Sequence, residues 1–378
     1  MYKNENIENI KESNVEFFAA ANSGKGFVSF YDKIFGADSI ERRYLIKGGP
    51  GTGKSTFMRR LADCAKCEGF EVLRYRCSSD PSSLDGIIIN KCVAVIDSTA
   101  PHAEEAALVG ARDVLVDLGA FWNSDALFAE GEKIKLLSEN KKRAYALAYR
   151  FLSSAMQSDS ASRELVLPYV DRKRLMCLAK RLTKRMDYGD GYECRIGLSK
   201  AIGMSGQCAL DTYERIAAKN VYIQEHYGIG YLVLCEICEE ARRRGCKISI
   251  SYDPLFSDVI DSVFLEDSKT LFTLCESRKA GAISLQRILD FSSLSKSERN
   301  ELRAKSRNAK RLSEALVVAA IDELRSVGGA HFELEKIYRS NMDFDALNAY
   351  TSKLCKEIIG FVKSINSSVK DDTMGFNE

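Results

Sequence analysis

The sequence predicts an α/β fold with two tandem modules, in which mainly parallel sheets are flanked by helices. Short apolar runs typical of strands alternate with stretches of helical spacing, and the same order of elements occurs in both halves of the chain. Strands that alternate with helices indicate parallel sheets, because a crossover segment must return the chain to the same edge. We therefore expect one module with a helical insert over residues 1–195, and a second with C-terminal helices over residues 196–378.

In the first module, residues 43–47 (RYLIK) form an apolar run that ends in glycines, as a buried strand would. Residues 54–68 place apolar side chains at helical spacing and precede a glycine, which predicts a helix and its end. Residues 70–76 alternate in polarity and residues 92–97 (CVAVID) are apolar before an acid, so both are predicted strands. The intervening CSSDPSSLDG is predicted to be a turn, and residues from about 103 to 188 are predicted to be helical.

The second module repeats this order. Residues 219–224 and 246–252 have the pattern of strands, and residues 231–244 between them have the pattern of a helix that ends at a glycine. Residues 268–274 predict a further strand, and the chain is helical again from residue 283.

Collinear matches support a true internal repeat. SGKGFVSFYDKI (23–34) matches SGQCALDTYERI (205–216) without gaps, and GTGKST (51–56) then falls on GIGYLV (228–233). Each match is weak by itself, so the prediction depends on their common order. Two unrelated α/β units remain the alternative, since any strand–glycine–helix segment resembles another.

The composition excludes little. The chain has 378 residues, 45% of them hydrophobic and 29% charged, with a net charge of +2, so no global charge favours nucleic acid or a membrane surface. The polar N-terminus lacks the pattern of a secretory signal, and no apolar run reaches the roughly 18 residues of a membrane span. We expect a cytoplasmic protein whose twelve cysteines are reduced thiols.

The stretch KGGPGTGKSTF contains the strongest motif. It fits G-x-x-x-x-G-K-[ST] between a predicted strand and a predicted helix, which is the context of a phosphate-binding loop (P-loop). Its glycines allow backbone N–H groups to approach phosphate oxygens, the lysine reaches the β- and γ-phosphates, and the serine hydroxyl ligates Mg²⁺. The residues of this predicted site are Gly48, Gly49, Pro50, Gly51, Thr52, Gly53, Lys54 and Ser55.

Asp97 ends the predicted strand VAVID and is the candidate for a second Mg²⁺ ligand, with a helix N-cap as the alternative role. Ser98 follows where many ATPases carry a catalytic glutamate, so the water-activating acid must come from elsewhere. The candidates, each of which could instead form a turn or lie on the surface, are Asp80, Asp85, His102 and Glu104. We take Lys54, Asp97 and Asp80 as the predicted catalytic residues.

Phosphoryl transfer often uses an arginine, but no spacing selects one. The arginines considered are Arg42, Arg43, Arg59, Arg60, Arg76 and Arg150. No Asn-Lys-x-Asp guanine reader occurs before residue 150, which favours ATP with Mg²⁺ over GTP.

The second glycine loop lacks this chemistry. Tyr231 replaces the lysine, Leu232 replaces the serine, Glu225 replaces the first glycine, and Thr273 falls where Asp97 would be. We expect this degenerate loop to be structural or regulatory and not to hold MgATP.

Two C-x-x-C pairs lie in predicted helices, Cys64 with Cys67 and Cys235 with Cys238. Two such pairs can form a zinc site, but residues i and i+3 of a helix simply share a face. We expect buried structural thiols.

Five stretches resemble a little-characterised family of bacterial tandem P-loop ATPases of the P-loop nucleoside triphosphate hydrolase superfamily. They are FFAAANSGKGFVSFYD, YLIKGGPGTGKSTFMRRL, CSSDPSSLDG, AVIDSTAPH and HFELEKIYRSNMDF. The resemblance covers about residues 15 to 350 and implies two P-loop modules with helical appendages. It implies nucleotide binding through Gly51, Gly53, Lys54, Ser55 and Thr56, but no settled biological role.

The last of these stretches also resembles AYRFLSSAM in the first module, where Tyr149-Arg150 matches Tyr338-Arg339. If the repeat is real, the two helices are expected to pack alike.

Three functions remain open at this point. The first is an ATPase or ATP-operated switch with one competent site at Lys54. The second is a small-molecule or nucleotide kinase, with the helical insert as a lid. The third is a nucleotide-binding interaction protein with negligible turnover, which the missing acid after Asp97 favours. ATP is the expected ligand, and a protein or small-molecule partner is unidentified.

Overall fold

The computed structural model describes residues 15–100, 104–276 and 279–374. Over these ranges the chain is an α/β protein with two mixed six-stranded sheets. The predicted candidate His102 lies outside the described residues, as does most of the polar N-terminal segment in which an export signal was sought. No helix in the described ranges is long and apolar enough to cross a membrane.

The first sheet has the strand order β1-β5-β6-β7-β4-β8. All neighbouring strands are parallel except that β6 runs antiparallel to β5 and β7. Its strands are β1 (Val15–Phe18), β4 (Arg42–Lys47), β5 (Val72–Arg76), β6 (Leu84–Ile89), β7 (Val93–Asp97) and β8 (Asp113–Asp117).

The second sheet has the equivalent order, β9-β13-β14-β15-β12-β16, with β14 as the one reversed strand. Its strands are β9 (Glu193–Ile196), β12 (Lys219–Gln224), β13 (Lys247–Tyr252), β14 (Ile260–Leu265), β15 (Thr270–Cys275) and β16 (Ile283–Ser284). The shared order, including the reversed strand, confirms that the chain contains two similar modules.

Each module also has a two-stranded hairpin, which precedes β4 in the first and β12 in the second. These hairpins are β2 (Ala20–Ser23) with β3 (Gly26–Ser29) and β10 (Lys200–Gly203) with β11 (Gly206–Ala209). Asn22 Nδ2 donates to the carbonyl of Ile202 at 2.8 Å, and Tyr149 donates its hydroxyl proton to Asn22 Oδ1 at 3.0 Å.

The helices repeat in the same way. They are α1 (Tyr31–Phe35), α2 (Lys54–Cys67), α3 (Ser124–Ala129), α4 (Gly131–Glu164), α5 (Arg172–Leu182), α6 (Thr212–Ile216), α7 (Tyr231–Arg243), α8 (Lys296–Ser340) and α9 (Phe344–Met374). Short 3-10 helices follow β8 and β16, at Leu118–Phe121 and Leu285–Ile288.

Two compact units are built from both halves of the chain. The first comprises residues 1–19, 31–143 and 326–378, and the second comprises residues 20–30 and 144–325. The divisions fall inside the long helices α4 and α8, so each sheet is completed by helical segments from the other half of the chain. The predicted modules, 1–195 and 196–378, remain a description of the repeat and differ from these units.

Helix α9 contributes to the core of the first unit. The buried face of α2, with Phe57, Met58 and Leu61, packs in one cluster with Leu354 and Ile358 of α9. In the second unit α5 has the equivalent position, because its Leu175 and Leu178 pack with Val233, Leu234 and Ile237 of α7. Since burial of such side chains is the main stabilising contribution to folding, each unit depends on a helix that is distant in sequence.

Several local predictions were wrong. Strand β8 lies within the segment that was predicted to be helical, and β6 begins at Leu84, inside the stretch predicted to be a turn. The C-x-x-C pairs do lie in helices, but Cys64, Cys67 and Cys235 are exposed and Cys238 is half-buried. The buried faces of these helices use other positions, although Cys238 packs against the edge of the core of the second unit.

A buried ion pair joins the beginnings of strands β4 and β8. Arg43 donates from Nε and Nη2 to the two carboxylate oxygens of Asp113, each at 2.8 Å, and the Asp113 side chain is fully buried. The carboxylate also accepts from the backbone N–H groups of Ala107 and Leu108. These donors, Arg43 first, hold the pKa of Asp113 well below its usual range.

Replacement Asp113→Ala should lower the free energy of unfolding by about 3–5 kcal/mol, because it leaves the Arg43 guanidinium buried without its partner. Urea unfolding at pH 7 measures this loss. The matched control is Asp63→Ala, which removes a carboxylate that is 68% exposed and paired with Arg74, and which should cost at most about 1 kcal/mol. Equal losses for the two variants would contradict a structural role for the buried pair.

Candidate functional site

The loop between β4 and α2 has the backbone conformation that an anion cradle requires. Gly51 and Gly53 have φ values of 71° and 81°, in the left-handed region that favours glycine. Gly53 is the N-cap of α2, so the first backbone N–H groups of the helix lie directly after the loop. Left-handed residues just before a helix N-terminus turn successive backbone N–H groups toward one point. An oxyanion at that point can accept hydrogen bonds from several of them.

Lys54 is folded back over this loop. Its Nζ donates to the carbonyls of Gly48 at 2.7 Å and Gly49 at 2.8 Å, and lies 3.6 Å from Asp97 Oδ2. Thr52 Oγ1 also donates to the carbonyl of Gly49, at 2.9 Å. The lysine is therefore held at the loop by two carbonyls and one carboxylate.

Asp97 reaches the loop because β7 and β4 are parallel neighbours. Ile46 and Asp97 are paired in register, so the carboxyl ends of the two strands meet at the same edge of the sheet. Asp97 Oδ1 accepts from the backbone N–H of Thr99 at 3.0 Å, while Oδ2 faces Lys54. The carboxylate thus caps the following turn with one oxygen and leaves the other in the site.

The remaining loop residues take different directions. Ser55 Oγ accepts from the backbone N–H of Leu84 at 3.0 Å. Thr56 is exposed and lines an open cavity of about 570 Å³ on the outer face of α2, together with Arg59 and Arg60. This cavity, although large, is on the opposite side of the helix from its buried face, and Lys54 and Asp97 do not line it.

The candidate acids are placed as follows. Both carboxylate oxygens of Asp80 accept from its own turn, from the backbone and hydroxyl of Ser82 and the hydroxyl of Ser83. These bonds suit a turn-forming residue, and a catalytic role for Asp80 stays a prediction. Asp85 is buried, and Glu104 lies 3.8 Å from Arg43. Burial, followed by repulsion from a neighbouring carboxylate, raises the pKa of Glu104.

Sequence reasoning missed the residues that cover the loop. A Cβ atom on Gly51 would lie 2.9 Å from the carbonyl oxygen of Glu335 and 2.8 Å from Cγ of Arg339. A Cβ on Gly49 would lie 3.3–3.4 Å from the rings of Tyr338 and Trp122. The last turns of α8 therefore pack directly on the loop, in contacts that span nearly the whole described chain.

A second lysine belongs to the same region. Lys141 Nζ lies 3.4 Å from Nδ1 of His331, and His331 Nε2 lies 3.6 Å from a carboxylate oxygen of Glu335. Burial, and then the positive charges of Lys141 and Lys54, lower the pKa of His331 to about 4, so the ring is neutral at pH 7 and its Nδ1 can accept from Lys141. Burial and Lys54 lower the pKa of Lys141 as well.

This arrangement places two lysines beside the loop. Asp97 lies within electrostatic range of both Lys54 and Lys141, and Glu335 lies within range of Lys141 as well. No local motif could reveal Lys141 and His331, because they are 190 residues apart in the sequence and their contact depends on the packing of α8.

The second glycine loop is filled by its own side chain. Glu225 accepts from the backbone N–H of His226 at 2.7 Å and from that of Gly230 at 3.0–3.1 Å. Burial raises its pKa to about 7, although these N–H groups and Arg163 act in the opposite direction. The carboxylate takes the place that an external oxyanion would occupy in a loop of this shape.

The other residues of the second loop are apolar or aromatic where the first loop has charge. Tyr231 begins α7 as Lys54 begins α2. Ile223 is in register with Leu274 as Ile46 is with Asp97, so Leu274 and not Thr273 is the counterpart of Asp97. The prediction for Thr273 was one residue short because the connection from β14 to β15 is one residue longer than that from β6 to β7.

No family model, no curated protein and no solved structure matches the chain. The resemblance to tandem P-loop ATPases therefore stays a prediction.

Replacement Glu225→Gln should change how stability depends on pH. The folded state holds the Glu225 proton more tightly than the unfolded state, in which the pKa is near its ordinary 4.5. In the wild type, binding of this proton contributes to the free energy of unfolding. The contribution is fully present below pH 4.5 and is lost as the pH rises through about 7. Glutamine cannot ionise, so the variant does not lose this contribution. Its free energy of unfolding, relative to that of the wild type, should therefore rise by roughly 3 kcal/mol between pH 4.5 and pH 8.

Urea unfolding of both proteins at a series of pH values measures this difference. The trend with pH is the readout, because the amide also changes one hydrogen bond at every pH. Glu276→Gln, at an exposed glutamate of the same unit, is the control and should track the wild type. A constant difference between Glu225→Gln and the wild type across the range would contradict the buried position of Glu225.

Proposed function

We propose that the chain binds MgATP at the loop 48–56 and acts as an ATPase or an ATP-operated switch with one competent site. The observation that carries the proposal is the meeting of the Lys54 ammonium group and the Asp97 carboxylate, 3.6 Å apart, beside a glycine loop at the N-terminus of α2. A cation, a metal-binding carboxylate and converging N–H groups are together what a triphosphate with its metal requires.

Each residue has a distinct role on this proposal. The N–H groups of the loop bind oxygens of the β-phosphate, and Lys54 leaves the carbonyls of Gly48 and Gly49 to bind oxygens of the β- and γ-phosphates. Ser55 and Asp97 would hold Mg²⁺, which when bound neutralises charge between these phosphates. No group of three His, Cys, Asp or Glu side chains in the described ranges is arranged as a metal site, which is compatible with an ion that takes most of its ligands from water and phosphate.

We propose one nucleotide site and not two because the second loop lacks the residues of the first. Its cradle is filled by Glu225, and Tyr231 and Leu274 stand where the first site has Lys54 and Asp97. A bound triphosphate would have to displace a buried carboxyl group and would find neither the lysine nor the metal ligand. We therefore assign nucleotide binding to the first loop alone, with ATP preferred because the sequence lacks a guanine reader.

Thermal unfolding with a panel of nucleotides tests this assignment. MgATP at 100 times its dissociation constant should stabilise the wild type by about 2.7 kcal/mol, which raises the melting temperature measurably, and GTP should have less effect. Lys54→Ala should abolish the response. Lys353→Ala, at an exposed lysine of α9, and Tyr231→Ala should each respond like the wild type relative to their own melting temperatures.

A persistent MgATP response in Lys54→Ala would contradict the site. A response that is lost in Tyr231→Ala, but kept in Lys54→Ala, would transfer the site to the second module. Release of phosphate from MgATP without any acceptor then distinguishes an ATPase from a kinase or a protein with negligible turnover.

A further inference from the structure

The end of α8 brings an arginine to the first loop. Cγ of Arg339 would lie 2.8 Å from a Cβ on Gly51, so the stem of this side chain rests on the loop itself. The side chain is exposed, and its guanidinium group makes no hydrogen bond or ion pair with any described residue. An unpaired guanidinium beside an anion cradle is available to a ligand.

The second module contains the equivalent arginine with its partners in place. A Cβ on Gly228 would lie 2.7 Å from Cγ and Nε of Arg163, which is near the end of α4 as Arg339 is near the end of α8. Arg163, and not the predicted Arg150, is therefore the counterpart of Arg339. Arg163 is paired with Asp159 at 3.1 Å and lies over the ring of Phe256 at 3.6 Å.

Arg163 acts on the anion that fills the second loop. Its positive charge lowers the pKa of Glu225, so it favours the ionised carboxylate in the cradle. In the second module a glycine loop therefore holds a carboxyl group whose pKa burial raises to about 7, and an arginine from the long helix opposes that rise by favouring the ionised form.

The first module has the equivalent loop and the equivalent arginine, but Gly48 stands where the second has Glu225, and its N-cap Gly53 is left-handed where Gly230 is right-handed. Glu335, the counterpart of Asp159, is directed to His331 and not to Arg339. Asp97 faces Lys54, and Asp97 and Glu335 both act on Lys141, so Arg339 is the cation at this loop that has no partner among the described residues.

We propose that Arg339 is the catalytic arginine of the first site and contacts the terminal phosphate of the bound nucleotide. This rests on the proposed function, and it adds that the C-terminal half of the chain supplies the group in cis. During hydrolysis a water oxygen bonds to the γ-phosphorus, the bond from the γ-phosphorus to the bridging oxygen breaks, ADP leaves with that oxygen, and one proton passes to solvent. Arg339 stays protonated throughout and stabilises the charge on the transferred group.

The proposal predicts a selective defect in Arg339→Ala. The variant should bind MgADP within threefold of the wild type, since the arginine is assigned to the terminal phosphate alone. Its preference for MgATP over MgADP should fall at least tenfold, and it should fail to form the stable complex with ADP and aluminium fluoride that mimics the transferring phosphoryl group. Where the wild type turns over, kcat should fall by a factor on the order of 10³.

Isothermal titration with MgADP, MgATP and ADP–aluminium fluoride measures these affinities for the wild type, Arg339→Ala, Arg339→Lys and Lys54→Ala. Lys336→Ala is the matched control, because Lys336 is an exposed cation one turn away on α8 that pairs with Glu333. Free guanidinium ion should restore part of the Arg339→Ala defect, and it should not restore Lys54→Ala.

The outcomes separate the two proposals. If the wild type binds no nucleotide, or if Lys54→Ala binds like the wild type, the proposed site is wrong and the arginine assignment falls with it. If Lys54→Ala loses binding while Arg339→Ala keeps the wild-type preference for MgATP and the aluminium fluoride complex, only the assignment of Arg339 is wrong. An equal loss of MgADP and MgATP binding in Arg339→Ala would show a structural role and would also overturn it.

Discussion

The close contact between the end of a long helix and the central glycine of a loop is the constraint on which both modules depend. Any side chain on Gly51 would meet the backbone carbonyl of Glu335, and any side chain on Gly228 would meet the stem of Arg163. Both glycines also have φ values near +70°. Packing and backbone conformation therefore require glycine at position 228 even though the second loop lacks the lysine, which explains why GIGYLV keeps its first glycine.

The same contact makes each unit depend on both halves of the chain. The first loop is formed by residues near position 50, but the residues that cover it and much of the core behind α2 come from beyond residue 326. The second loop is covered by Arg163 of the first half. Contacts this distant in sequence close a long loop of chain, and the entropic cost of that closure slows folding. Integrity of the first site is thereby coupled to the complete chain.

The sequence predicted those features of the fold that depend on interactions between neighbouring residues. The bounds of α2, the strand before it and the position of Asp97 follow from apolar periodicity and from glycine conformation, which act over a few residues. The pair Lys141–His331 and the position of Arg339 could not be predicted, because tertiary packing of α8 alone brings them to the loop. Strand β6 was missed since its first residues, Leu84 to Gly86, have the composition of a turn and become a strand by pairing on both sides.

A comparison of the two loops distinguishes the contribution of backbone N–H groups from that of the side chains. In the second loop two backbone N–H groups hold the carboxyl group of Glu225, although no counterpart of Lys54 or Asp97 is present. The backbone of such a loop can therefore hydrogen-bond to a carboxyl group without help from those side chains. On the proposed function, Lys54, Ser55 and Asp97 serve a different purpose in the first loop, which is to extend recognition from one oxyanion to a chain of phosphates with a metal ion. Arg339 would then act at the far end of that chain, where charge changes during the reaction.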